Sequence, residues 1–135
     1  TRAHMARAVL EGGAFGMRES LEIMREMRVP IREVRASGGG ARSRVWRQIQ
    51  ADVNHAPLVT TNIDEGPAYG AALLAMVGAG MYSTVEEACD ATIRVVDACD
   101  PDPDRSRVYD SWFGEYQKAY AALAPGFRRT AALLS

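Results

Sequence analysis

The residues in this chain whose type and spacing could hold a ligand are three consecutive glycines, in Ser37-Gly38-Gly39-Gly40-Ala41. They follow an extended run (Ile31, Val34, Ala36) and precede a helical one (Val45, Trp46, Ile49, Val53). Without Cβ atoms such a turn permits positive φ and lets a planar or anionic molecule lie against bare backbone. The helix N-terminus that follows offers unpaired N–H groups to negative charge. Together these features suit a nucleotide, and a strand-to-helix turn that binds nothing is the competing reading. Three glycines are more than a turn needs, which favours a site.

Spacing excludes two familiar nucleotide motifs. A G-x-G-x-x-G fingerprint would need glycine where Ser43 stands, and an acidic residue closing a second strand. A phosphate loop of the G-x-x-x-x-G-K-[ST] kind needs a Gly-Lys pair, which the chain lacks. Arg42 and Arg44 could pair with phosphates or simply be solvated; cations at the start of a helix oppose its dipole, which calls for a local reason. A second candidate is the carboxylate-dense loop from Asp97 to Asp104, where a divalent cation must be considered. Its two prolines stiffen an extended turn, no glycine stands at an EF-hand position, and Asp104 reads as the N-cap of the next helix. No metal ligand is therefore assigned.

Composition bounds the class. With 135 residues, 47% hydrophobic and 24% charged, the chain can bury a core of its own. A net charge of −1 gives no electrostatic footprint for nucleic acid or an anionic membrane. The longest apolar stretch, Ala68 to Met81, is too short to span a bilayer, and no signal-peptide layout precedes it. A cytoplasmic protein is expected. Cys89 and Cys99 fit neither C-x-x-C nor a zinc pattern and read as reduced thiols.

The elements that must position the glycine turn follow from periodicity. Thr1-Arg2-Ala3-His4 has no initiator Met and runs straight into a helical pattern, so the expectation is a chain that starts mid-protein. Ala6, Val9/Leu10, Gly13, Met17, Leu21, Met24 and Met27 predict one amphipathic helix over residues 3–28. Gly12, Gly13 and Gly16 inside it cost roughly 1 kcal/mol each, which argues for close backbone packing on that face. Val29-Pro30 ends it. After the glycine turn Ser43 caps a helix to Asn54, with Trp46, Ile49 and Val53 inward and Arg44, Arg47 and Gln48 towards solvent. Ala56–Thr61 reads as a strand, Asp64-Glu65-Gly66-Pro67 opens a thin helix to Gly80, and Ser83/Thr84 with Glu86-Glu87 caps a short helix to Thr92. Ile93, Val95 and Val96 make a weak strand. A closing helix over residues 105–123 carries Tyr109, Trp112/Phe113, Tyr116 and Tyr120 as a core stripe, and a surface tail begins at Ala124. Alternating elements predict an α/β fold with partly parallel strands. The sheet is too narrow to stand well alone.

Four segments in order carry a family resemblance: His4-Met5-Ala6-Arg7-Ala8-Val9-Leu10-Glu11; Ser37 to Ser43 with Trp46-Arg47-Gln48; Ala51-Asp52; and Glu65-Gly66-Pro67-Ala68-Tyr69-Gly70-Ala71-Ala72. Together they resemble the C-terminal part of the FGGY carbohydrate kinases, most closely the xylulokinase branch. The resemblance implies a ribonuclease H-like domain of the sugar kinase/actin/Hsp70 type, incomplete at its N-terminal side. Residues 1–80 would be its helix-strand-helix-strand-helix core and 81–135 a C-terminal extension. It also implies transfer of the γ-phosphoryl group of ATP, with Mg²⁺, to a ketopentose such as D-xylulose. Gly38, Gly39, Gly40 and Ala41 match the adenosine-binding turn, Gly40 most directly, Ser43 begins the helix beneath it, and Arg44 departs from the Pro or Asn common there. The sugar would be held by a missing N-terminal domain. The catalytic base, the phosphate loops and most of the metal site would lie outside this chain, and no residue here is assigned as catalytic. Implied partners are ATP or ADP and a sugar, with no nucleic acid and no membrane, and with homo-oligomers through an uncovered sheet edge. A non-catalytic α/β interaction module, and an actin-like ATPase without a sugar substrate, remain alternatives.

Overall fold

A computed structural model of the chain describes residues 1–64 and 66–133. Glu65, expected in the first turn of a helix, lies outside them, as do Leu134 and Ser135 at the end of the expected tail. Helix α1 (Arg2–Glu26) starts at Thr1, whose hydroxyl accepts from the His4 N–H. Strand β1 (Val34–Ala36) leads through a 3₁₀ turn (Gly39–Arg42) into α2 (Arg44–Asn54). Ser43 caps α2 as expected, its Oγ accepting from the Trp46 N–H at 3.3 Å. Then follow β2 (Leu58–Thr61), α3 (Gly66–Gly78), α4 (Val85–Thr92), β3 (Val95–Cys99) and α5 (Pro103–Ala132). The expected capping signal before α4 is met in full. Thr84 Oγ1 accepts from the Glu87 N–H, and the Glu87 carboxylate reaches back to the Ser83 N–H.

The three strands lie in the order β1-β2-β3. β1 and β2 are parallel, with Val34 opposite Leu58 and Ala36 opposite Thr60, so α2 is the crossover that parallel pairing requires. β3 returns antiparallel, Thr60 opposite Asp97, with an irregularity between Thr60 and Thr61. α2 packs between this sheet and the pair α1 and α5. On one side Ala14, Phe15, Ile49, Val53, Tyr109 and Phe113 form a buried cluster, with Leu10, Trp46 and Tyr116 at its margin. On the other Ala51, Leu58 and Cys99 join α2 to the sheet.

Several expectations are corrected. α1 buries Ala14 and Phe15, while Val9, Met17, Met24 and Met27 of the expected stripe are exposed. The glycines are not required by close packing: a Cβ on Gly13 would make an ordinary 3.5 Å contact with the Trp46 ring, one on Gly16 a 3.7 Å contact with the Tyr116 hydroxyl, and one on Gly12 would meet open space. Arg47, expected in solvent, is buried. Asp97 belongs to β3 rather than to a loop, because alternation from Val95 lets Asp97 reach Arg47 while Cys99 enters the core. Asp102, not Asp104, caps α5, accepting from the Asp104 and Arg105 N–H groups; Pro103 fits the first helical position, where no N–H is needed. α5 also continues through Pro125 to Ala132 rather than fraying into a tail at Ala124. Of its aromatic stripe Tyr109 and Phe113 are core, but Trp112 and Tyr120 are exposed. The thin helix α3 buries only Leu73 among its described residues and packs chiefly on α4.

One carboxylate ties the layers together. Asp52, 2% exposed, accepts from the Gln48 amide and the Asp102 backbone N–H at 2.8 Å each, and pairs with Arg105 Nε at 2.8 Å. Its own carbonyl accepts from the Ser106 hydroxyl at 2.8 Å. Removing a buried acceptor strands its donors, so Asp52→Ala is expected to lower stability by about 2–4 kcal/mol, and Asp52→Asn by less, as read by urea denaturation.

A second clamp joins the same helices. Asp110 on α5 pairs with Arg18 of α1 at 2.8 Å and with His55, beyond α2, at 2.7 Å. Burial alone would raise the Asp110 carboxyl, but the Arg18 and His55 hydrogen bonds and charges outweigh it and hold the group below its usual value. A depressed carboxyl contributes stability above its unfolded pKa that is lost as pH falls through the folded value. Asp110→Asn is therefore expected to be less stable at neutral pH and to show a shallower loss below about pH 4, measured by denaturation across that range.

Candidate functional site

The glycine turn sits where the fold leaves backbone uncovered. Gly38 has φ +77° and ψ −175°, a conformation that side-chain-bearing residues rarely adopt, and it reverses the chain between β1 and α2. The turn is closed by the Ala41 N–H donating to Gly38 O at 3.0 Å and the Ser43 N–H donating to Gly40 O at 3.2 Å. Gly38, Gly39 and Gly40 are all exposed, and Ala41 is half-buried. Their bare faces differ. A Cβ on Gly39 would meet open space, whereas one on Gly40 would stand 3.4 Å from Trp46 Nε1. Gly39 thus faces outward, and Gly40 accommodates the protein's own indole.

The turn borders a crevice of about 200 Å³ at the carboxyl ends of the two parallel strands, the end at which open α/β sheets bind ligands. Ala36 ends β1 and Thr60 and Thr61 end β2; all three line it, with Ala41 and Arg42 from the turn. Ile63, Asp64 and Val96 complete the rim. Arg42 and Asp64 pair across it at 3.2 Å, both well exposed. Ser43 spends its hydroxyl on capping, and Arg44 is exposed at the start of α2. Of the sequence-predicted residues, Ala41 lines the crevice, while Gly38, Gly39, Gly40, Ser43 and Arg44 lie outside its lining; Arg42, which lines it too, is tied to Asp64.

Sequence reasoning missed Arg47 in this wall. It is 7% exposed, and its Nη2 donates to Asp97 Oδ2 at 2.8 Å, while Nε and Nη1 have no acceptor among the described residues. That guanidinium, and next the Ala98 N–H, hold the Asp97 carboxyl below its usual value. The available signal was spacing: Arg47 stands one turn before Ala51, on the flank of α2 that meets the sheet, so the helix is covered on two sides.

A larger crevice of about 390 Å³ lies between α1 and α5, lined by Arg7, Glu11, Val108, Tyr109 and Trp112, none of them in the glycine turn. Its polar groups satisfy one another: the Tyr109 hydroxyl donates to Glu11 Oε1 and accepts from Arg7 Nη2, each at 2.8 Å. Among the described residues no three His, Cys, Asp or Glu side chains converge on a point that could hold a metal ion, and no helix is long and apolar enough to cross a membrane.

Comparison with known proteins places this architecture. The family model for the FGGY family of carbohydrate kinases, C-terminal domain, matches residues 1–79. A xylulose kinase of Staphylococcus epidermidis is 35% identical over 120 residues, covering 89% of this chain and 24% of that protein. An L-xylulose/3-keto-L-gulonate kinase of Escherichia coli is 36% identical over 123 residues, covering 91% of this chain and 25% of that protein. The crystal structure of xylulose kinase from Rhodospirillum rubrum superposes with a TM-score of 0.81 at 34% identity, over 95% of this chain and 26% of the other. The chain thus spans about a quarter of the length of the relatives it matches. The ribonuclease H-like, actin-type architecture of sugar kinases is the one to which its α/β layers correspond. On the profile match and on identity sustained along most of its length, the chain belongs to the FGGY family of carbohydrate kinases.

Proposed function

We propose that this chain supplies the adenosine-binding turn of an ATP-dependent sugar kinase acting on a ketopentose such as D-xylulose. In this reading residues 1–80 are the later portion of the kinase's C-terminal domain and 81–135 its extension. The observation that carries the reading is the exposed Gly38–Gly40 backbone, turned by a positive φ at Gly38 and leading into Ala41, which lines a crevice at the ends of two parallel strands. The xylulose kinase names of the most similar relatives support the substrate class.

The residues present fit a nucleotide. Gly39 presents a face that a Cβ would fill, so a ligand can approach the backbone there. α2 begins directly after the turn, and a helix N-terminus favours phosphate charge. ATP, when bound, supplies the phosphoryl group that passes to a sugar hydroxyl. The carboxylate that takes the hydroxyl proton, and the loops that grip the phosphates, belong in this reading to the rest of the kinase. Mg²⁺ would be carried there and on the phosphates; three of this chain's aspartates have structural partners, Asp52 on α5, Asp97 on Arg47 and Asp102 on a helix cap. What this chain contributes is binding and orientation.

Gly39→Val tests the turn more cleanly than a change at Gly40, whose Cβ would lie in contact with Trp46. In the full-length protein, calorimetric titration with ATP and ADP is expected to show affinity reduced at least about tenfold in Gly39→Val, with an unchanged melting temperature. Equal affinity in a folded variant would reject the turn as the adenosine site.

A further inference from the structure

Helix α1 is apolar on two faces, and the fold uses one of them. Ala14 and Phe15 enter the core, with Leu10 at its margin. On the far side of the helix from Ala14, helical spacing sets Met5, Val9, Gly12, Gly16, Ile23 and Met27 on one face. Val9 is 76% exposed and Met5 73%, and Ile23 and Met27 are exposed as well. Single exposed apolar side chains are ordinary, but a run of them along one face marks a surface that meets another. The glycines within the run point the same way. Glycine destabilises a helix interior relative to alanine, and nothing within the fold takes up the space that is left. Outside its own helix, a Cβ on Gly12 would meet no atom within 4 Å, and one on Gly16 would make only ordinary contact with the Tyr116 hydroxyl.

We propose that this face of α1 docks on the same face of a second copy of the protein, the two helices antiparallel about a two-fold axis level with Ala14. The register is self-complementary. Setting Gly12 of one helix opposite the partner's Gly16 also sets Met5 opposite the partner's Ile23 and Arg2 level with the partner's Glu26. One alignment thus matches bare backbone with bare backbone, apolar with apolar and cation with anion, and the two-fold repeats every match. Arg2 and Glu26 are exposed, and no ion pair holds either side chain among the described residues. Each also opposes the dipole of its own helix, a cation in the first turn and an anion in the last. In the antiparallel pair each comes beside the opposite pole of the other helix, so two charges misplaced in one copy are well placed in two. A segment from the remainder of the kinase would cover an apolar strip equally well, but it would not require the strip to match itself when reversed. α1 has 25 residues and is about 37 Å long, so one helix pair buries less than about 1,200 Å², the range of weak and reversible assemblies. The inference does not rest on the reading of the glycine turn.

Sedimentation equilibrium on the full-length protein tests the pairing, with monomer passing to dimer across about 1–100 μM in the wild type. Val9→Glu removes an apolar contact and sets a carboxylate level with the partner's Glu19. It is expected to raise the dimer dissociation constant about tenfold or more while the melting temperature of the dilute monomer stays unchanged. Arg2→Glu and Glu26→Arg are each expected to weaken the dimer about threefold or more, and the double variant to recover wild-type association, because the exchanged charges face each other again. Wild-type protein that stays monomeric across this range would overturn the proposal. So would a dimer that none of these substitutions weakens, as pairing through the sheet edge would give. A lower monomer melting temperature in Val9→Glu with unchanged association would assign the face to the remainder of the same chain. Failure of the double variant to recover would reject the antiparallel register.

Discussion

The arrangement depends on burying one carboxylate at the far end of α2. Moving an ionised group out of water costs several kcal/mol, and the cost is offset only where charge and hydrogen bonds are returned in good geometry. Asp52 receives them from Gln48 one turn earlier on its own helix and from Asp102 and Arg105 at the start of α5. The partners come from two elements some fifty residues apart, so satisfying the charge and docking the helices are one event. Asp102 acts twice: its N–H serves Asp52 while its carboxylate caps α5. With the foot of α5 fixed in this way, Tyr109 and Phe113 fall against Phe15, and the three-helix cluster closes.

From that anchor the polarity of α2 follows. Its C-terminal half is enclosed by sheet, α1 and α5, and residues 49–54 are all buried. Its N-terminal turn is left at the surface with the glycines in front of it. One helix is thus rigid at one end and accessible at the other, and a site placed on a rigid element keeps its geometry better than one on a free loop. Trp46 stands at the boundary, its indole within reach of both Gly13 on α1 and Gly40 in the turn. One ring thereby lies between the turn and α1.

Much of this was legible in the sequence, because local rules decided it. The glycine turn, the Ser43 and Thr84 caps, and the order of helices and strands each rest on residues near one another in the chain. What escaped depends on partners far away in sequence. The buried face of α1 was misplaced because methionines and valines on a neighbouring stripe mimic a core, whereas the docking of α5 selects Ala14 and Phe15. Arg47 reads as a solvated charge until Asp97 is known to lie opposite it, fifty positions on. Asp97 in turn reads as part of an acidic loop until β3 is paired with β2. Pro125 marks the end of a helix by its local preference, and the backbone nevertheless continues through it. The turn, which is defined by its backbone, was visible; the side chain buried beside it was not.

The two carboxylates that escaped notice as structural groups are also what relates the anchor to the crevice. Asp52 fixes α2 along its length, and Arg47 lies five residues before it on that same rigid segment. β3, which carries Asp97, runs directly into the Asp102 that completes the Asp52 site. The guanidinium is therefore held between a helix and a strand that are both registered by one buried charge, so its unmatched donors have little freedom to turn elsewhere. A lone arginine on a surface loop would swing towards solvent and satisfy itself. One fixed in this manner stays paired with Asp97 in the wall of the crevice.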